Sequence, residues 1–464
     1  ERMLLYEEIY KKLSDDIMTH KIKKNEKLPS IRKYSEENGV SKNTVQNAYS
    51  QLLSEGYIYS KERSGFFAAD VKILKIIPTK KIEQKNKISN FIQKENEVIL
   101  KKIIDLSANL IDPTYFPYST LRSLYRKALN EKNDFLFNKS GDAFGDFEFR
   151  KSIADFLYTH REINCHPSQI IIGSGSESIL QQIIKIFKEK DGENPDFIFE
   201  KPCFSKNIHS AKNSGCSFFE IPLDSEGLKI QKARDLKTDK NKSCLLHISP
   251  FHQFPMGISM TLSRKSEILS WAYSSENRYI IEDDYDGDFR YKARALSSIF
   301  AMDSKEKVIY MGTFSRTLTP SMKISFMVLP VKLLNPCRKI LFGSSCSVSR
   351  LDQYVTAEFI RGGYLYRHIN RLRKIYKQRR DLMIELLKKN IKGIQIRGEQ
   401  RGLHFVIKIP NLKEKALIKK ATEKSLIVQG TGSGWIIIGY AHLNEKEIEK
   451  AVIILSTILA ESAD

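Results

Sequence analysis

The sequence of 464 residues lacks any apolar run approaching the ~20 residues that a membrane-spanning helix requires. Its first residues show no signal-peptide pattern, so a cytoplasmic protein is expected. Cysteine is sparse: Cys165, Cys203, Cys216, Cys244, Cys337 and Cys346 are scattered, with no C-x-x-C pair. That spacing argues against a disulfide framework or a cysteine zinc site and fits a reducing compartment. Negative charge is in deficit, with 55 Asp and Glu against 76 Lys and Arg, a net charge of +21. Such an excess invites a nucleic-acid partner, but its location weakens the inference. Residues 1–70 carry 12 basic and 11 acidic side chains and so are nearly neutral. The surplus lies further on, where a lysine-rich solvated surface explains it equally well.

What is present begins with an amphipathic stripe. Leu5, Ile9, Leu13 and Ile17 recur four apart and predict a helix over residues 4–18. Ser30 is placed to cap a short second helix that Asn38-Gly39 closes. Ser41 is placed to cap a third, with Val45, Ala48, Tyr49, Leu52 and Leu53 on one face. Residues 57–60 and 66–68 alternate as two short strands around a turn at 61–65. Helix, helix-turn-helix and β-wing follow one another, the order of a winged helix. Ser41, Lys42, Asn43 and Thr44, with Gln46 and Asn47, put hydroxyls and amides at the start of the third helix, the groups that read base edges in a major groove. Arg32, Lys33, Lys61 and Arg63 are candidates for backbone phosphates. A helical hairpin with ordinary caps is the plainer alternative.

Residues 71–103 hold nine lysines, three glutamates and no glycine, and read as a lysine-rich linker with a helical stretch over 88–102. From residue 104 to 464, short apolar strands alternate with helices, which predicts an α/β domain with a mainly parallel sheet. Ile170-Ile-Ile172 enters a Gly/Ser turn that opens a helix, an anion-binding arrangement that alone is weak. Residues 279–281 form a strand followed by the acidic cluster Glu282, Asp283, Asp284 and Asp286, whose carboxylates suit a metal, a cofactor or a helix cap. Val308–Met311 is a further buried strand, followed by a polar loop over 312–319 and a new element from Pro320.

Specific motifs add to this. Residues 26–33, 40–49 and 53–57, then Ser64-Gly-Phe66, resemble the GntR-type winged helix. Gly141-Asp-x-x-Gly145, Gly173–Leu180, Lys201-Pro-Cys-Phe204, His252-Gln-Phe-Pro-x-Gly257, Glu282-Asp-Asp-Tyr285 and Gly312-Thr-Phe-Ser315 occur in the order of fold-type I pyridoxal-phosphate (PLP) transferases, and Gly402-Leu-His404 and Gly439-Tyr440 complete them. The joined pair resembles the MocR/GabR group of transcription regulators.

The resemblance implies a double-stranded DNA operator, a domain-swapped homodimer, a small-molecule effector and PLP as the expected cofactor. It implies that Asp283 meets the cofactor's ring nitrogen and that Tyr285 reaches its ring hydroxyl. Phe204 stands for a stacking tyrosine, and Gly175, Ser176, Thr313 and Ser315 for the phosphate site. Five positions depart from the pattern. Arg316 stands where the Schiff-base lysine is expected, and a guanidinium cannot form an imine. Lys323 replaces a phosphate-binding arginine, Glu177 a glutamine, Ser140 a tyrosine reaching the partner's phosphate, and Ile437 the arginine that holds a substrate carboxylate. The expectation is therefore a DNA-binding regulator with no catalytic residue and no metal, which senses a ligand without covalent attachment. A PLP-dependent protein with residual cofactor binding and a ligand-free dimerisation scaffold are the alternatives.

Overall fold

The computed structural model describes residues 4–70, 103–108, 110–130, 134, 136–236, 239, 241–291, 297–410 and 412–461. The linker and its helical stretch lie outside these residues apart from Ile103. The chain divides into two compact units, Glu1–Leu100 and Lys101–Asp464.

In the first unit, α1 (Leu5–Met18), α2 (Ile31–Asn38) and α3 (Lys42–Ser54) precede an antiparallel hairpin of β1 (Ile58–Lys61) and β2 (Gly65–Ala68). Ile9, Leu13 and Ile17 of α1 meet Val45, Ala48, Tyr49 and Leu52 of α3 in one core. Leu5 departs from the expected stripe: it is 61% exposed, because the buried face of α1 begins one turn later, at Ile9. Both predicted caps form. Ser30 accepts from the Lys33 N–H at 3.2 Å and Ser41 from the Thr44 N–H at 3.1 Å. Gly39 closes α2 at φ 63°, a left-handed position that glycine adopts at little cost. Ser41→Ala should therefore destabilise this unit by about 1 kcal/mol, measurable as a lower denaturation midpoint.

In the second unit, eight strands form one sheet in the order β4-β11-β10-β9-β8-β5-β6-β7. Their ranges are β4 (Ile170–Ser174), β5 (Asp196–Lys201), β6 (Phe218–Asp224), β7 (Gly227–Leu228), β8 (Cys244–Ile248), β9 (Arg278–Asp284), β10 (Val308–Thr313) and β11 (Ile324–Val328). The inner strands β10, β9, β8, β5 and β6 are parallel, while β11 runs antiparallel to both β10 and β4. Helices cover both faces, so strands such as Ile170-Ile-Ile172 are buried throughout and read as unbroken apolar runs. A smaller antiparallel sheet is built from β12 (Gln395–Arg397), β13 (His404–Lys408), β15 (Gln429–Gly430) and β16 (Ile436–Gly439). The short strands β3 (Ile104–Asp105) and β14 (Leu426–Ile427) pair in parallel beside it. Among the described residues no helix is long and apolar enough to cross a membrane.

Candidate functional site

The C-terminal ends of the parallel strands open into a cavity of about 870 Å³, the place where α/β sheets carry their ligands. All ten residues expected from the sequence line it: Gly175, Ser176, Glu177, Phe204, Asp283, Tyr285, Thr313, Ser315, Arg316 and Lys323. Ile437 lines it as well, an apolar wall without a charge for a substrate carboxylate.

The acidic cluster resolves into four separate tasks, because β9 continues through Asp284 rather than ending at Ile281. Side chains alternate along a strand. Glu282 turns to one face and caps the short helix at Ile299–Met302. It accepts from Ser298 Oγ (2.5 Å) and from the N–H groups of Ile299 and Phe300 (both 2.9 Å). Asp284, on the same face, accepts from Arg161 Nε (2.5 Å) and from the Tyr310 hydroxyl (2.6 Å). Asp286 lies 2.8 Å from His252 Nδ1, and the Tyr285 hydroxyl lies 3.1 Å from the same nitrogen. Only Asp283 turns into the cavity. Burial and the nearby charges of Asp284 and Asp286 push its carboxyl up to about 7, with the Arg316 charge opposing.

No donor among the described residues bonds the Asp283 carboxylate. His247 Nε2 is 3.6 Å away, beyond hydrogen-bonding reach, and lies 3.3 Å from Asn207 Nδ2. Burial lowers the His247 imidazole to about 4, so it is neutral near pH 7.

At the other end, Gly175 (φ 91°, ψ 164°) turns the chain into the helix Ser176–Asp191 (α4). This backbone is nearly reserved for glycine. The first turn of α4 directs N–H groups without intrahelical acceptors, and the positive helix end, toward the cavity. Thr313 is a prop rather than a direct contact: its hydroxyl accepts from Ser325 Oγ (2.9 Å) and from the Ser315 N–H (3.2 Å), and donates to Ser315 Oγ (3.1 Å). The Ile324 carbonyl, 3.2 Å from the same Thr313 hydroxyl, is a second acceptor for its one proton. Lys323 is exposed at φ 48°. Glu177 does not stand unopposed beside this end, since Lys206 meets it at 3.3 Å.

Sequence reasoning missed one wall of the cavity. Phe254 stacks on Phe204 with ring centroids 3.6 Å apart and planes within 5°. Tyr285 stands edge-on to both rings, at 5.3 and 6.2 Å. Phe254 sits inside the His252-Gln-Phe-Pro motif, and an aromatic there was the only signal available.

In the first unit, Lys42, Asn43, Gln46 and Asn47 are exposed along the start of α3, and the amides of Asn43, Gln46 and Asn47 make no hydrogen bond within the described residues. Thr44 is tied to the cap, 2.8 Å from Ser41 Oγ. Arg32 and Lys33 are exposed and paired within α2, to Glu36 at 2.9 Å and Glu37 at 3.7 Å. In the wing, Tyr59 and Phe67 stack at 5.8 Å, with the Lys61 ammonium 5.2 Å from the Phe67 ring. Arg63 occupies the turn at φ 58°.

Comparison with known proteins agrees with both units. The family described as "Aminotransferase class I and II" matches residues 101–455, and "Bacterial regulatory proteins, gntR family" matches residues 5–68. The uncharacterized HTH-type transcriptional regulator YdeL of Bacillus subtilis is 33% identical over 97% of this chain and 95% of its own length. The probable rhizopine catabolism regulatory protein MocR of Rhizobium meliloti is 24% identical over 97% and 92%. Among solved structures, Pyrococcus horikoshii kynurenine aminotransferase superposes with a TM-score of 0.71 at 24% identity, covering 82% of this chain and 97% of that one. This last likeness concerns the fold.

Proposed function

Because the chain belongs to the aminotransferase class I and II family, and carries a gntR-family domain ahead of it as MocR-type transcription regulators do, we propose that it is a dimeric regulator whose large domain senses a small molecule without bonding to it covalently. The observation that carries this reading is a cavity with a buried carboxylate that accepts no hydrogen bond from the described residues at one end and anion-binding groups at the other; within it we read Arg316 as standing at the imine position. An enzyme of this family needs an amine there to bond its substrate and carry protons. A guanidinium does neither.

The family normally binds PLP, and the two ends of the cavity suit such a group. Asp283 offers a carboxylate to a ring nitrogen, and Ser176, Ser315 and the start of α4 offer donors to a phosphate. When bound, that group supplies an electron sink for amino-acid chemistry. The middle does not fit, because Phe254 already covers a face of Phe204 at van der Waals distance. The Tyr285 hydroxyl is also engaged toward His252. Ligand binding between Asp283 and the α4 terminus would favour one arrangement of the domain, and operator affinity would follow to the extent that the two arrangements bind DNA differently.

Two measurements test this. Borohydride treatment in the presence of pyridoxal phosphate should leave the protein mass unchanged; a reduced adduct within the 312–323 segment contradicts the non-covalent reading. Thermal-shift screening with pyridoxal compounds, amino acids and phosphorylated metabolites should yield a stabilising ligand that also changes operator affinity. A screen in which nothing raises the melting temperature favours the ligand-free scaffold instead.

A further inference from the structure

The two ends of the cavity and its middle specify different parts of a ligand. Asp283 is only 7% exposed, faces the cavity and accepts no hydrogen bond from the described residues. The Arg316 guanidinium acts on it through charge. Burying a carboxylate without donors is costly, so this group calls for a donor from outside, best a cation. At the other end, Ser315 is held by Thr313, and the free N–H groups opening α4, the Ser176 hydroxyl and Lys323 converge. So many donors suit the three terminal oxygens of a phosphate monoester better than the two of a carboxylate.

The separation of the ends follows from sheet geometry. Asp283 pairs with Met311 across β9 and β10, and Thr313 lies two residues further along β10. One strand spacing across and two residues along place the backbones of Asp283 and Thr313, the prop of Ser315, roughly 8 Å apart. Between them the face of Phe204 is covered by Phe254, with Tyr285 closing an edge. A planar ring seeking that face has to displace Phe254, whereas a thin methylene chain can pass beside it.

We propose, building on the non-covalent sensing described above, that the cavity selects an aliphatic aminoalkyl phosphate. Its ammonium sits on Asp283 and its phosphate at Ser315 and the start of α4, with Phe254 in place of an aromatic ring. Selectivity then comes from the protein's own side chain, which excludes flat heterocycles while leaving both polar ends in use.

Calorimetric titration of the full chain with straight-chain aminoalkyl phosphates of increasing length tests this. Alkyl phosphates without the amine, amino alcohols without the phosphate, and pyridoxamine phosphate serve as comparisons. One chain length should bind best, and losing either end should weaken binding by about tenfold or more. Asp283→Asn should remove the advantage of the amine, so that the aminoalkyl and plain alkyl phosphates of one chain length bind alike. Phe254→Leu should raise the affinity for pyridoxamine phosphate relative to the aliphatic series; Phe254→Ala gives the same reading with a larger opening.

Tighter binding of pyridoxamine phosphate than of every aliphatic compound to the unaltered protein overturns the inference, as does an aliphatic series that fails to bind. Operator titrations with the same compounds separate this from the broader reading. If the ring compound binds and shifts operator affinity, the selectivity inference falls while ligand-controlled regulation stands.

Discussion

Asn43→Ala should weaken binding to the cognate operator by about 1–3 kcal/mol, roughly 5- to 150-fold, and relax the preference at one base position. The side chain is exposed at the start of α3, its amide bonds nothing else among the described residues, and the Ser41 cap beneath it is intact without it. Folding should therefore be unaffected, and the loss should appear only on the specific duplex. Arg32→Ala provides the contrast. Its guanidinium is exposed and shared with Glu36, so it suits a phosphate contact that is blind to sequence. Its loss should lower affinity evenly for specific and random duplexes and reduce the slope of log affinity against log salt by about one. Fluorescence anisotropy over a range of salt concentrations checks both. Unchanged specific affinity in Asn43→Ala would remove α3 from the groove.

Asp283→Asn should stabilise the ligand-free protein at pH 8 and flatten its loss of stability with pH. The carboxyl of Asp283 is pushed up to about 7, against about 3.9 in an unfolded chain. Between those values the folded state holds a proton that the unfolded state has released, so stability falls as pH rises through the interval. The span corresponds to a few kcal/mol at its upper end, an order-of-magnitude figure. The amide of the variant has no proton to lose and avoids that cost.

Other groups around Asp283 titrate too. Glu200, pushed up to about 8 by burial, adds loss of the same sign. His247, lowered to about 4, adds a gain as pH rises toward its unfolded value. Both remain in the variant, as do Asp284, Asp286 and Arg316; because the Asp283 charge also raises the Glu200 carboxyl, its removal relieves part of that loss in the same direction. Melting temperatures from about pH 5 to 8 should diverge by several degrees at the upper end. Parallel curves would show that Asp283 has a donor in solution.

How much of this was legible beforehand depended on whether a feature is local. Caps at Ser30 and Ser41, the left-handed Gly39 and the turn at Gly175 were readable because each acts through its own neighbours. The cavity residues were readable from motifs, and all ten do converge. The division of labour among Glu282, Asp283, Asp284 and Asp286 was not. It is decided by partners far away in the chain: Arg161 and Tyr310 for Asp284, His252 for Asp286, and the 298–300 turn for Glu282. Those partners also explain why β9 runs on into residues that read as a strand's polar end. A buried carboxylate with full hydrogen bonding is compatible with a central strand. The Phe204–Phe254 stack was hidden for a similar reason, since two rings that share a face lie far apart in the chain.

The alternation along β9 makes the electrical character of the cavity a property of strand pairing. Asp283 faces it only while Asp283 lies opposite Met311 and Ile281 opposite Ile309. A slip by one residue would exchange the two faces. Glu282 and Asp284 would then enter the cavity as a pair, and Arg161 and the 298–300 turn would lose their acceptors. The site would gain a negative charge without any substitution. A one-residue deletion in the strand should therefore do more to its ligand preference than most changes made in the cavity itself.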